Sequence, residues 1–79
     1  MCRMKARIVQ LQARHECVAS FKTSSGMDAE VIIPFSSAED DYITVTEIRR
    51  ESDRVLIELP EETARGDWRV WVPPNQVYA

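Results

Sequence analysis

Three groups of residues hold whatever chemistry this chain can offer. His15 and Cys17 stand two apart, which in a strand puts both side chains on one face. A thiol beside an imidazole suits either a metal pair or a Cys/His nucleophile. Zinc needs further ligands, and Cys2 is the only other thiol or imidazole in the chain. A dyad needs an oxyanion site, and no glycine-rich turn lies nearby. A buried thiol next to a surface imidazole is the better account, so no catalytic residue, metal ligand or cofactor is assigned.

The second group is acidic: Glu39-Asp40-Asp41 and Glu61-Glu62. Calcium calls for oxygen ligands at alternating positions with a glycine to turn the loop, which neither segment has. Adjacent carboxylates on a strand face opposite ways, so adjacency does not make an acid/base pair. A solvated loop is one use. The other is a negative surface that imitates nucleic-acid phosphate toward a basic partner, to which Glu47, Glu51, Asp53, Glu58 and Asp67 would add.

The third group is aromatic. Trp68 and Trp71 are three apart and face opposite sides of a strand, while Trp71 shares its face with Arg69. An exposed Trp beside an arginine can anchor a partner or stack on a base. The plainer alternative makes both tryptophans core and cover for a small domain.

The rest of the chain must position these groups. Its 79 residues make one domain, 1–79, and 44 % hydrophobic residues suit a folded chain rather than a disordered one. No stretch nears the ~20 apolar residues of a membrane span, and no signal peptide opens the sequence, so no membrane partner is expected. Two cysteines far apart point to reduced thiols and a cytoplasmic location. Cys2, close to the N-terminus, is open to an intermolecular disulfide, and Met4 is a second candidate start. The formal charge of −3 divides unevenly. In residues 1–27, Arg3, Lys5, Arg7, Arg14 and Lys22 stand against Glu16 alone, a net +4; residues 28–79 hold twelve acids against five arginines, a net −7. Such a division gives either a two-faced surface or pairing across neighbouring strands.

The elements read as strands. Met4, Ile8, Leu11, His15 and Val18 have helical spacing, but Lys5-Ala6-Arg7-Ile8 alternates, and Val9 to Ala13 alternates in the opposite phase. A strand over 5–12 with a β-bulge is chosen, and a helix across 5–20 is the alternative. Alternation of Cys17, Ala19 and Phe21, a Thr23-Ser24-Ser25-Gly26 turn, and alternation of Ala29, Val31, Ile33 and Phe35 predict a hairpin of strands 16–22 and 28–33. Pro34 ends the second strand, and Ser37 is placed to cap a short helical turn. A second hairpin runs from Tyr42 to Ile48, turns at Glu51-Ser52-Asp53 and returns through Val55, Ile57 and Leu59. A loop over 60–66, with one helical turn at Glu61 to Ala64, leads to a strand over 68–72 that Pro73-Pro74 closes. The sum is an all-β domain, a small barrel or rolled antiparallel sheet of five to six strands.

Asp41-Tyr42-Ile43-Thr44-Val45 with the following hairpin, and Trp68 through Tyr78, resemble the end of an SH3-type barrel. In that family a strand ending in a hydrophobe-Pro pair leads into a one-turn 3₁₀ helix and a short closing strand, and Val72-Pro73-Pro74-Asn75-Gln76-Val77 is similar. The resemblance, confined to the C-terminal half, implies an SH3-like barrel with a 3₁₀ turn near the C-terminus. It does not extend to the family's peptide site, which needs an N-terminal aromatic cluster and a Trp where this chain has Val55-Leu56. The ending Val70-Trp71-Val72-Pro73 also resembles the last strand of many small phage and prophage proteins.

With no catalytic constellation, the expected work is binding. One expectation is an inhibitor of anti-CRISPR type in the host cytoplasm, blocking a nucleic-acid-handling complex that has a basic surface. Glu39, Asp40, Asp41, Glu47, Glu61 and Glu62 would meet its cations, with Trp71 as anchor. The alternatives are a nucleic-acid-binding barrel using Arg3, Lys5, Arg7, Arg14 and Lys22 with an exposed aromatic, and an adaptor that forms a homodimer through an open strand edge.

Overall fold

The computed structural model describes residues 1–11 and 15–78. Arg14 and the far end of the expected first strand lie outside the described residues. The chain is all-β. Its strands are β1 (Cys2–Lys5), β2 (Arg7–Gln10), β3 (Glu16–Lys22), β4 (Asp28–Pro34), β5 (Ala38–Glu39), β6 (Tyr42–Arg50), β7 (Val55–Glu58), β8 (Arg69–Val72) and β9 (Val77–Tyr78), with 3₁₀ turns at Phe35–Ser37 and Pro74–Gln76. They make two antiparallel sheets: β8-β7-β6-β1-β9 with β5 beside β6, and β2-β3-β4.

The first segment is where the strand count rises. Strand and not helix forms there, and it starts at Cys2 instead of residue 5. Met4, Ala6 and Ile8 all face inward, so the alternation runs through without the expected bulge, and Val9 points out. The chain divides at Ala6, whose N–H donates to the Asp41 carbonyl at 2.8 Å. β1 joins one sheet and β2 the other, so one stretch of backbone builds the corner between them. Cys2 is buried opposite Val45, not frayed at the terminus.

The β3–β4 hairpin has the expected bounds, carried one residue further to Pro34. Its loop closes through Gly26, at φ +84°, where a side chain would be strained. Pro34, not Ser37, caps the next 3₁₀ turn, and no side-chain hydrogen bond is made there. Because the strand stops at Pro34, Phe35 leaves the alternation and is exposed.

In β6, Ile43 and Val45 enter the core, and Ile48, on the opposite side of the same alternation, is exposed; the register shifts between Glu47 and Arg49. The loop after β7 is not helical at 61–64. It is wound around buried Thr63, whose Oγ1 accepts the N–H groups of Arg65 and Asp67 at 3.3 and 3.1 Å. A bridge between Thr63 and Val31, and a hydrogen bond from Ala64 N–H to the Glu30 carbonyl, tie this loop to β4 and so link the two sheets. After β8 the Pro74–Gln76 turn delivers β9 to the free edge of β1, pairing Val77 with Met4 and Tyr78 with Arg3.

Met4, Cys17, Ile33, Ile43, Val55, Ile57 and Val72 form the inaccessible centre of the core. Neither tryptophan belongs to it. Trp68 precedes β8 and is 46 % exposed, and Trp71 lies on the outer face of β8.

Candidate binding surface

The outer face of the larger sheet gathers cations and aromatics. Strand alternation sends Cys2 and Met4 inward and Arg3 and Lys5 outward. The register sets Arg3 between Thr44 and Tyr78, and Lys5 opposite Tyr42, all on the same outer face. The Arg3 guanidinium carbon lies 5.0 Å from the centre of the Tyr42 ring. Tyr78 meets Tyr42 edge to face at 5.6 Å and 84°. Arg3 and Lys5 form no ion pair among the described residues.

A second arginine–aromatic pair sits on β7–β8. The Arg54 guanidinium carbon is 3.9 Å from the Trp71 ring centre, and Arg54 Nε donates to Glu51 at 2.8 Å. The sequence pairs Trp71 with Arg69 on one face, but Arg69 reaches back to Glu58 at 3.7 Å. A cleft of about 530 Å³ opens beside Trp71, between the Thr23–Met27 loop and the Thr63–Asp67 loop. Ser24 N–H, donating to the Trp71 carbonyl at 2.8 Å, holds the first of these loops to β8.

The acidic candidates fall in separate places. Glu39 ends β5 and Asp40 and Asp41 turn the chain into β6, all three exposed, with Asp40 in the left-handed region at φ +54°. Their carboxylates form no ion pair among the described residues. Glu47 lies six residues beyond Asp41 along β6, about 20 Å away at ~3.3 Å per residue. Arg50 neutralises it through contacts at 2.7 and 3.3 Å, which hold its carboxyl below the usual range. Glu61 is exposed, and Glu62 accepts the indole N–H of Trp68 at 2.8 Å.

Of the basic candidates, Arg7 projects from the outer face of β2, and Lys22 is paired with Asp28 at 2.8 Å. Lys5, Arg7 and Lys22 line one shallow groove together with Asp41, so the basic strand and the acidic turn are neighbours. Cys17 is buried and His15 exposed, and no group of three metal-ligating side chains converges among the described residues. Burial pushes both thiols above their ordinary pKa.

The Arg3–Tyr42–Tyr78 cluster is the feature that residue patterns missed. Alternation puts Tyr42 opposite Ile43, but nothing local says that β1 runs between β6 and β9. No helix among the described residues is long and apolar enough to cross a membrane. No protein-family model, curated protein or solved structure matches the chain.

Proposed function

We propose that this chain is a binding protein whose working face is the outside of β1–β6–β9 and whose ligand is single-stranded nucleic acid. The observation that carries the reading is Arg3 stacked on Tyr42, with Tyr78 beside it and Lys5 next along the strand. Cations track a phosphate backbone and aromatic rings stack on bases without regard to sequence. Pairing takes acids and cations together and leaves the net acidity as it is, so the reading rests on what this one face has available. Glu47, Glu51, Glu58 and Asp28 each face an arginine or lysine on a neighbouring position, while Arg3 and Lys5 are left available. Two unpaired thiols suit a cytoplasmic location.

The test is fluorescence anisotropy of a labelled single-stranded oligonucleotide. Two phosphate contacts predict an affinity that falls about sevenfold between roughly 50 and 200 mM salt. Tyr42→Ala, which removes one stacking ring, is expected to weaken binding by roughly tenfold or more. Absence of any binding at low salt sinks the reading.

A second reading is favoured by the Glu39-Asp40-Asp41 turn, which presents three exposed carboxylates free of ion pairs. Here the chain is an inhibitor of anti-CRISPR type, with this turn and Glu61 meeting the basic surface of a nucleic-acid-handling complex; Trp71, level with Arg49 and covered by Arg54, is set apart from them. Charge reversal at residues 39–41 would then abolish capture of such a complex from nuclease-treated lysate. The same change would leave oligonucleotide binding intact or strengthen it, which separates the two readings.

A further inference from the structure

The smaller sheet has an outer face that nothing above uses. Across it, Val9, Val18 and Ile32 sit directly opposite one another on β2, β3 and β4. Val9 is 50 % and Ile32 51 % exposed, so an apolar row crosses the full width of the sheet in contact with water. The next row is Arg7, Ser20 and Glu30, in the same strand order. Arg7 and Glu30 form no ion pair among the described residues. They are two strand spacings apart, about 10 Å, on either side of Ser20, and the described residues leave both without an ion-pair partner in their own chain.

We propose that this face is where two copies of the chain meet, related by a two-fold axis that runs parallel to β3 between the two sheets. The operator exchanges the outer strands and keeps each row at its own height. Val18 then faces its own symmetry mate, Val9 faces Ile32 of the other copy, and Arg7 faces Glu30 of the other copy twice over. An in-plane axis perpendicular to β3 instead sets the Arg7 row against the row of Glu16 and Pro34, which leaves Glu30 without a cation. At the two ends of β3 the same operator sets Glu16 and Lys22 each against its own mate, so the choice of a second copy and of this register rests on the central rows, where Arg7 meets Glu30 twice. Aligned sheets packed at about −30° accommodate such an arrangement. This dimer leaves β1–β6–β9 uncovered and stands or falls apart from the function proposed above.

The contact is small. β3 and β4 have seven residues each and β2 four, so the face covers at most about 23 by 14 Å, well short of a standard interface, and the association is weak and concentration-dependent. Sedimentation velocity of the full chain from about 10 µM to 1 mM reads it. A reversible dimer is expected. Arg7→Glu and Glu30→Arg should each weaken it by about tenfold or more, and the double variant, which only inverts the pair, should return it to within about threefold. Ile32→Asp should abolish it. All these side chains are exposed, so circular dichroism of the variants should match the parent. A monomer throughout the range overturns the proposal. So does a dimer indifferent to all four variants, which would be pairing through a strand edge, and so does failure of the double variant to recover.

Discussion

The Arg54 guanidinium lies over the Trp71 ring, 3.9 Å from its centre, on the outer face of β8. The core side of that strand is taken by Val70 and Val72, so Trp71 is sheltered from water by a charged side chain and not by the core. Glu51 holds the arginine from the other side through a 2.8 Å hydrogen bond. Arg54→Ala should therefore destabilise the fold by about 1 kcal/mol, mostly through loss of the stacked pair. In a Trp68→Phe background it should also shift the tryptophan emission to the red. Arg54→Lys should recover only part of both, because an ammonium cannot lie flat on the ring. Denaturant melts followed by fluorescence read the two effects together.

How much of this was legible beforehand depends on sequence distance. The β3–β4 hairpin follows from Cys17, Ala19 and Phe21 alternating up to a Gly26 turn, because both strands and their turn are neighbours in the chain. The first segment was harder. Met4 pairs with Ile43 and Val77, partners 39 and 73 residues away, and the division at Ala6 is made by the far-off Asp41 carbonyl. Charge counting showed the basic start and acidic remainder, but not that Glu47, Glu51 and Glu58 each have an arginine at hand. Alternation puts Trp71 on the outer side, as observed, but leaves Trp68 open as a core residue; both indoles lie outside because β-branched aliphatics fill the narrow space between the sheets.

Thr63 should be the residue on which the β7–β8 loop depends. It is buried, its Oγ1 accepts two backbone N–H groups, and its own N–H donates to the Asp67 carbonyl at 2.9 Å. Thr63→Val keeps the shape and removes the acceptor, so it is expected to cost roughly 1–3 kcal/mol. Thr63→Ser, which keeps the hydroxyl, should cost less. Amide hydrogen exchange at Arg65 and Asp67 should quicken in the valine variant and stay close to the parent in the serine one.

Backbone strain makes a paired forecast. Gly26 has φ +84° with open space where a Cβ would stand, so Gly26→Ala meets no clash and its cost is conformational alone, about 1 kcal/mol. Asp40 is the reverse case, a residue with a side chain held at φ +54°. Asp40→Gly should be neutral or stabilising by up to about 1 kcal/mol. Thermal melts of the two variants should move in opposite directions, or the second should not move.

Stability should lie on a plateau and fall off at both ends of the pH scale, for reasons that belong to named groups. Glu47 and Glu51 are held below their ordinary 4.5, first by hydrogen bonds from Arg50 and Arg54. Their contribution is present above that value and is lost as pH falls below it. Both carboxylates are about one-third exposed and open to solvent screening, so this acid limb should be shallow and should flatten in high salt. Cys2 and Cys17 are pushed above their ordinary 9.0, chiefly by burial. The folded state keeps their protons longer than the unfolded one, so their effect is full below 9.0 and stability declines as pH rises above it. Cys17→Ala should flatten this alkaline limb while costing packing at all pH values, since Cys17 is fully buried. The same burial predicts that an aromatic disulfide reagent labels neither thiol at neutral pH until denaturant opens the fold. Rapid labelling of Cys2 in the native protein would mean that β1 frays from β6.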